Sequence, residues 1–122
     1  MNKIFLALMC VVSTYAAQVV VVTGASRGIG LAIAKNLAQN GYSVYAGIRT
    51  YREGLPHEEK LVFLPLDVTN EKSIHHFVDE ILKKEDRIDV LVNNAGILFY
   101  GSVENTTIEE AKQLFDVNFF GA

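Results

Sequence analysis

The chain has 122 residues, of which half are hydrophobic and a fifth are charged, and its formal net charge is −3. This composition is typical of one small globular domain rather than of a disordered chain. No basic run is present, so the electrostatic footprint of a nucleic-acid-binding protein is missing. The single cysteine, Cys10, cannot form an internal disulfide, and no cysteine or histidine motif predicts a metal site.

The first 17 residues differ from the rest of the chain. Lys3 precedes an unbroken apolar run, Ile4 to Val12, and small residues follow it up to Ala17. This order is typical of a secretory signal peptide, and the apolar run is too short to cross a bilayer of about 30 Å as a helix. We expect a cleaved signal peptide or an uncleaved anchor in residues 1–17; a segment with no targeting role is the third alternative. If the segment is cleaved, the mature chain begins near Gln18.

From Gln18 onward, strand-like and helix-like segments alternate. Val19 to Val22 is a continuous β-branched run, which favours a strand buried on both faces of a parallel sheet. A glycine-rich turn follows, and then a helix that is expected to end at Gly41. The residues that this helix is expected to bury are Ile29, Ile33 and Leu37. Three further strands are predicted, at residues 42–48, 61–66 and 90–92.

Two more helices are predicted in the second half of the chain. Asn70 is a candidate N-cap, and the apolar residues that follow it at helical spacing are Ile74, Phe77, Val78, Ile81 and Leu82. Thr107 and Glu110 have the spacing of a capping box. This helix is expected to continue to the last residue of the chain. Its apolar stripe consists of Ala111, Leu114, Phe115 and Phe119. Repeated β–α units with short links predict a doubly wound, parallel α/β sheet.

Residues 23–30 join the first strand to the first helix, and Gly24, Gly28 and Gly30 lie in this turn. A tight turn needs a residue without a Cβ atom, and so does a main chain that a diphosphate approaches closely. The first amide groups of the following helix lack partners, and the helix dipole is positive there. A glycine turn between a strand and a helix therefore predicts a diphosphate-binding site.

The spacing of this turn is T-G-x-x-x-G-x-G, and three further motifs follow it. Leu66-Asp67-Val68-Thr69 closes the third strand, Asn93-Asn94-Ala95-Gly96 follows the fourth, and Asn118 lies in the last helix. Together these motifs resemble the short-chain dehydrogenase/reductase family over residues 18–122. The resemblance implies a partial, Rossmann-like NAD(P)-binding domain with about four strands and flanking helices.

The resemblance also implies roles for individual residues. Asp67 resembles the family's aspartate that contacts adenine. Asn118 resembles the asparagine of the catalytic tetrad, which helps to hold a water in a proton relay. A buried amide with satisfied hydrogen bonds is the structural alternative for Asn118. The predicted cofactor-binding residues are Gly24, Ser26, Arg27, Gly28, Ile29, Gly30, Arg49, Asp67, Val68, Asn94 and Gly96.

The choice of cofactor depends on the end of the second strand, which contacts the adenosine ribose about 20 residues after the glycines. Arg49 occupies this position, and no carboxylate residue is present there. An arginine can pair with a phosphate through two charge-assisted hydrogen bonds. Arg27 resembles a second basic position of NADP-preferring members. We therefore expect NADP(H) rather than NAD(H); two solvated surface arginines are the alternative.

The chemistry implied by the family is hydride transfer between NADP(H) and a carbonyl or alcohol carbon of a small-molecule substrate. A tyrosine exchanges the proton, and a lysine four residues later lowers the pKa of that tyrosine. None of the five tyrosines has a lysine at that distance, and Tyr45, with Arg49, comes nearest. The leading hypothesis is the cofactor-binding half of an oxidoreductase, inactive by itself. A catalytically inactive NADP(H)-binding module and a truncated product without function are the alternatives.

Partners and location follow from the same features. The N-terminal segment predicts an exported or membrane-associated protein, with that segment as a tether, whereas reduced nicotinamide cofactors are cytosolic and favour a cytoplasmic location. A full-length family member is expected to be a homo-oligomer. The strand at residues 90–92 is expected to have an open apolar edge, so the isolated domain is expected to be marginally stable and prone to aggregate.

Overall fold

The computed structural model describes residues 16–122, so the predicted signal peptide or anchor falls almost entirely outside the described residues. Within this described part, four parallel strands form one sheet: β1 (Val19–Thr23), β2 (Ser43–Ile48), β3 (Leu61–Pro65) and β4 (Val90–Val92). Their order across the sheet is β3-β2-β1-β4. The direction in which strands are added therefore reverses beside β1, and the predicted doubly wound α/β sheet is confirmed.

Helices connect the strands and extend the chain beyond β4. Helix α1 (Gly28–Gln39) joins β1 to β2, and α2 (Glu71–Glu85) joins β3 to β4. Helix α3 (Ile108–Phe115) follows β4 and passes directly into a π-helical turn, Asp116–Phe120. No helix among residues 16–122 combines the length and the apolar character needed to cross a membrane.

Strand β1 lies at the centre of the core because its side chains meet helices on both faces. Val20 and Val22 belong to the cluster that includes Ala34 of α1. On the other face, the cluster of Val19 and Val21 includes Phe77 and Ile81 of α2. All four valines are at most 3% exposed, which confirms the interpretation of the β-branched run as a doubly buried strand.

The buried face of α1 differs from the one predicted. Ile29 is 75% exposed, and the buried residues are Gly30, Ala34 and Ala38. The predicted Ile33 and Leu37 are only partly buried against the core cluster. Close contact between α1 and the sheet leaves room for small side chains along the middle of the interface, so larger ones pack at its margin. Apolar periodicity favoured the large residues and missed this.

The structure confirms the centre of the apolar stripe that was predicted for α2. The Asn70 side chain accepts a hydrogen bond from the Ser73 amide at 3.2 Å, which confirms the N-cap. Phe77 and Ile81 are buried, whereas the outer members of the stripe, Ile74 and Leu82, remain more than a third exposed. The helix therefore contacts the sheet through a narrower face than its apolar pattern indicates.

The prediction for the last helix is correct at its start and wrong at its end. Thr107 and Glu110 form both hydrogen bonds of the capping box. The α-helix ends at Phe115, however, and the π-helical turn ends against Gly121. The wider turn changes the face presented to the sheet. Val117 is consequently buried, whereas the predicted stripe residues Phe115 and Phe119 are 55% and 67% exposed.

Candidate active site

A cleft of about 370 Å³ opens at the carboxyl ends of the strands. It lies beside β1, where the strand order reverses, and this is the position at which open α/β sheets bind ligands. Every predicted cofactor-binding residue, from Gly24 to Gly96, lines this one cleft. Four further residues that the sequence did not single out line it too: Leu66, Ala95, Ile97 and Val117.

The turn between β1 and α1 requires glycine for two different reasons. Gly24 and Gly28 have positive φ angles of 66° and 58°, in the left-handed region that favours glycine. A Cβ atom at Gly24 would lie only 2.7 Å from the Ala95 Cα atom, whereas a Cβ at Gly28 would meet nothing within 4 Å. Gly24 therefore permits close main-chain packing, and Gly28 leaves open space in front of α1.

Helix α1 begins without the side-chain cap that α2 and α3 have. Arg27 occupies the N-cap position, but its side chain makes no capping hydrogen bond, and the first turn contains no acidic residue. Within the described residues the first amide groups of α1, at the edge of the cleft, have no partner and can bind an anion, which the helix dipole also favours. This arrangement fits a diphosphate group.

A hydrogen-bonded junction holds the segment after β4 against this turn. The Thr23 Oγ1 atom accepts hydrogen bonds from the main-chain amides of Asn94 and Ala95, both at 3.0 Å. The Asn94 side chain donates to the main-chain oxygens of Thr23 at 2.9 Å and of Gly24 at 3.2 Å. A Cβ atom at Gly30 would collide with that same amide group. The glycine turn and the Asn-Asn-Ala-Gly segment are therefore fixed relative to each other.

Asp67 lines the cleft from the loop between β3 and α2. Its Oδ1 atom accepts hydrogen bonds from the amide and the hydroxyl of Thr69, at 2.9 and 2.7 Å. These hydrogen bonds, with a smaller contribution from the positive charge of Arg49, hold the pKa of the Asp67 carboxyl below its ordinary value. The side chain is therefore an ionised hydrogen-bond acceptor at neutral pH.

Two arginines flank the cleft. Arg27 and Arg49 are both exposed, and both line the cleft with the glycine turn. Within residues 16–122, neither guanidinium forms an ion pair with a carboxylate. Both side chains thus remain able to pair with an anionic ligand.

Asn118 does not line the cleft, but its side chain is hydrogen-bonded to Ile97, which does. Its Oδ1 atom accepts from the Ile97 amide at 2.8 Å, and its Nδ2 atom donates to the Ile97 oxygen at 2.9 Å. The structural alternative for Asn118, a buried amide, is wrong because the residue is exposed; from the π-helical turn its amide instead reaches the loop after β4. Asn118 therefore positions Ile97, and its catalytic role stays a prediction.

The sequence did carry a signal for one residue that had not been predicted as part of the site, Thr23. Thr23 is the single polar residue of β1, and at 5% exposure it is buried. A lone hydroxyl at the end of an apolar strand must find hydrogen-bond partners. Leu66, Ala95, Ile97 and Val117 carry no comparable signal, since their place in the cleft depends on neighbours distant in the chain.

Comparison with known proteins agrees with this geometry. The family profile described as short chain dehydrogenase matches residues 18–122. The chain belongs to the short-chain dehydrogenase family. One relative, a 3-ketodihydrosphingosine reductase from Bacteroides thetaiotaomicron, is 38% identical over 104 residues, which cover 85% of this chain and 38% of that protein.

Solved structures of the family are also similar. Ligand-free aldohexose dehydrogenase of Thermoplasma acidophilum is 41% identical with a TM-score of 0.77, and the match covers 86% of this chain and 40% of that one. ElxO with NADP bound is 33% identical, also with a TM-score of 0.77, over 86% of this chain and 46% of its own. The chain thus spans less than half of the length of these relatives.

Proposed function

We propose that this chain is the cofactor-binding part of an NADP(H)-dependent oxidoreductase. The reaction is hydride transfer between the nicotinamide and a carbonyl or alcohol carbon of a small-molecule substrate. The observation that carries the proposal is the uncapped start of α1, which faces a glycine-lined cleft at the point where the strand order reverses. Family membership and the names of the relatives support the reaction class.

The cleft divides into subsites with different chemistry. The amide groups at Gly28 and the start of α1 would bind the diphosphate, because they are unpaired and no side chain blocks their approach. Asp67 and Val68 would bind the adenine, with the ionised Asp67 carboxylate as an acceptor for its amino group. Gly96 and Ile97 line the part of the cleft next to Asn118. There, Asn118 would fix the loop along which the nicotinamide lies.

NADP(H) is the proposed cofactor because of the two flanking arginines. Arg49 stands at the end of β2, where an NAD-binding protein would present a carboxylate to the ribose hydroxyls. With Arg27 it would neutralise the 2′-phosphate of NADP. The similar structure of ElxO with NADP bound supports this choice.

A second function is a nucleotide-binding module without catalysis. Of the tyrosines among residues 16–122, none lines the cleft. The described part of the chain therefore supplies no phenol for the proton transfer of an alcohol or carbonyl reaction. Both functions require NADP(H) binding, but only the oxidoreductase catalyses a reaction. A binding measurement therefore tests both functions, and an activity measurement distinguishes them.

We also propose a leader in residues 1–17, either a cleaved signal peptide or an anchor, for an exported or membrane-associated protein. Its support is the order of Lys3, the apolar run and the small residues up to Ala17. A cytoplasmic protein is the alternative. For the complete protein we propose a homo-oligomer with a small-molecule substrate and no nucleic-acid partner.

Titration of the full chain with NADPH and NADH tests the cofactor. We expect saturable binding of both and at least about tenfold tighter binding of NADPH, because a 2′-phosphate gains charge-assisted hydrogen bonds. Arg49→Glu should remove this preference, whereas Arg52→Glu, an exposed arginine of the following loop, should keep it. Tighter binding of NADH by the wild type would overturn the NADP assignment. No saturable binding of either would overturn the function itself.

A further inference from the structure

Arg87 binds the main chain that leads into β1. Its Nη2 atom donates hydrogen bonds to the main-chain oxygens of Ala17 at 3.1 Å and of Ala16 at 3.4 Å. Its Nε atom donates to the Asp89 carboxylate at 3.0 Å, which fixes the direction of the guanidinium. A single side chain thus holds two consecutive carbonyl groups at the end of the sheet opposite the cleft.

The next two residues are held even more firmly. The Gln18 oxygen accepts a hydrogen bond from the Ser43 amide at 3.0 Å. The Val19 amide donates to Asp89 Oδ2 at 2.7 Å, and the Val19 oxygen accepts from the Asp89 amide at 2.9 Å. Val19 is also 1% exposed, in a strand paired on both sides. Residues 16–19 therefore belong to the folded domain, although the leader pattern extends through Ala17.

We propose that Arg87 and Asp89 form a clasp on residues 16–19 that closes the Ala17–Gln18 bond to proteolytic processing once the domain has folded. Proteases cleave segments whose main chain is exposed and free of internal hydrogen bonds. Here the carbonyl groups before the bond are bound by Arg87, and the groups after it are bound by Asp89 and β2. A leader is removed at this bond only from a chain that has not yet folded.

Hydrolysis of the Ala17–Gln18 bond would separate residues that the clasp holds together. Water adds across the Ala17–Gln18 amide, so Ala17 leaves with a new carboxylate and Gln18 keeps a new amino group. The two carbonyl oxygens that Arg87 holds then depart with the leader. In a folded chain this requires residues 16–18 to detach first, and cleavage proceeds through that locally open state. Loss of the clasp should populate the open state.

Limited digestion of the full chain with elastase, which cleaves after small residues, tests the proposal. Mass spectrometry measures how fast a product beginning at Gln18 appears. We expect the folded wild type to form it at least about tenfold more slowly than a synthetic peptide of residues 10–25. Arg87→Gln should form it about tenfold faster than the wild type, because two hydrogen bonds to the main chain are lost. Arg52→Gln is the matched control and should behave like the wild type.

Hydrogen exchange separates the clasp from global destabilisation. In Arg87→Gln, the Val19 amide, which donates to Asp89 Oδ2, should exchange faster, whereas the amide of the buried Ile81 in α2 should keep its wild-type rate. The proposal is overturned if the wild type is cut at Ala17–Gln18 as fast as the peptide. It is equally overturned if Arg87→Gln matches Arg52→Gln in either measurement, or if Arg87→Gln accelerates exchange at Ile81 as much as at Val19.

Discussion

Thr23 shows how one hydroxyl can connect two motifs that lie far apart in the chain. Its Oγ1 atom accepts from the amides of Asn94 and Ala95, 71 and 72 residues away. The main-chain oxygen of the same residue accepts from the Asn94 side chain. The position of the glycine turn relative to the segment after β4 therefore depends on this residue.

Thr23→Val should destabilise the domain by about 3 kcal/mol. The substitution keeps the shape of the side chain but leaves two partly buried amides without an acceptor, at about 1–3 kcal/mol each. Urea unfolding of the two proteins measures the difference. Thr50→Val, at an exposed loop position, should change stability by no more than about 0.5 kcal/mol. Equal effects of the two substitutions would contradict the role of the Thr23 hydroxyl.

At the scale of elements, the last turn of α2 is attached to β2 by a buried phenol. The Tyr45 hydroxyl donates to Glu85 Oε1 at 2.8 Å, and the ring lies in the core cluster with Phe77 and Ile81. Burial first, and the hydrogen bond and negative charge of Glu85 second, raise the pKa of Tyr45 from 10.0 to about 12. The neutral phenol is therefore the form that the fold stabilises.

The Tyr45 pKa predicts a loss of stability at high pH. Because the folded pKa is raised, the contribution of Tyr45 is complete below pH 10 and is lost as the pH rises towards 12. Relative to Tyr45→Phe, the wild type should lose about 2 kcal/mol between pH 9 and pH 11.5. Unfolding free energies at pH 9 and pH 11.5 measure the loss, with Tyr100→Phe as an exposed control. A constant difference between wild type and Tyr45→Phe would refute the prediction.

The two edges of the described sheet are protected differently. At β3, the Tyr51 hydroxyl donates to the Phe63 oxygen at 2.6 Å, and Pro65 ends the strand without an amide hydrogen. At β4, Val90 and Leu91 are 39% and 57% exposed. Edge strands invite pairing with other chains unless such devices block them. The β4 edge is therefore the one expected to associate.

At the scale of the whole molecule, this edge adjoins an apolar groove. The groove has a volume of about 260 Å³ and lies between α2, β4 and the end of the chain, with Phe77, Leu91 and Phe120 among its walls. The side chain of Phe120 is itself 73% exposed. An open strand edge next to exposed apolar side chains supports the expectation that the isolated chain aggregates.

Leu91→Lys should reduce self-association of the isolated chain. A charged side chain on an open strand edge opposes pairing with another strand. Light scattering at increasing protein concentration should show aggregates of the wild type at concentrations at which the variant remains monomeric. Leu98→Lys changes a similarly exposed leucine outside the strand and should have less effect. Equal reduction by both variants would assign the aggregation to general hydrophobicity rather than to the β4 edge.

Much of the fold could be predicted because its signals are local. The run at residues 19–22, the caps at Asn70 and Thr107, and the positive φ of Gly41 each depend on a few neighbours in the chain. The same holds for the glycine turn, whose strand-turn-helix context is contiguous. The faces of the helices were predicted less well: Ile29 and Phe119 are exposed because packing distance and a π-helical turn selected other residues.

The sequence by itself determined the alternation of strands and helices, the glycine turn and the family motifs, since periodicity, capping and turn chemistry act between neighbours. Only the tertiary structure decided that Thr23 holds Asn94, that Asn118 holds Ile97 and that Arg87 holds residues 16 and 17. These contacts join residues between 21 and 71 positions apart. Such pairs form only after the sheet has brought distant segments together, and no periodicity along the chain encodes them.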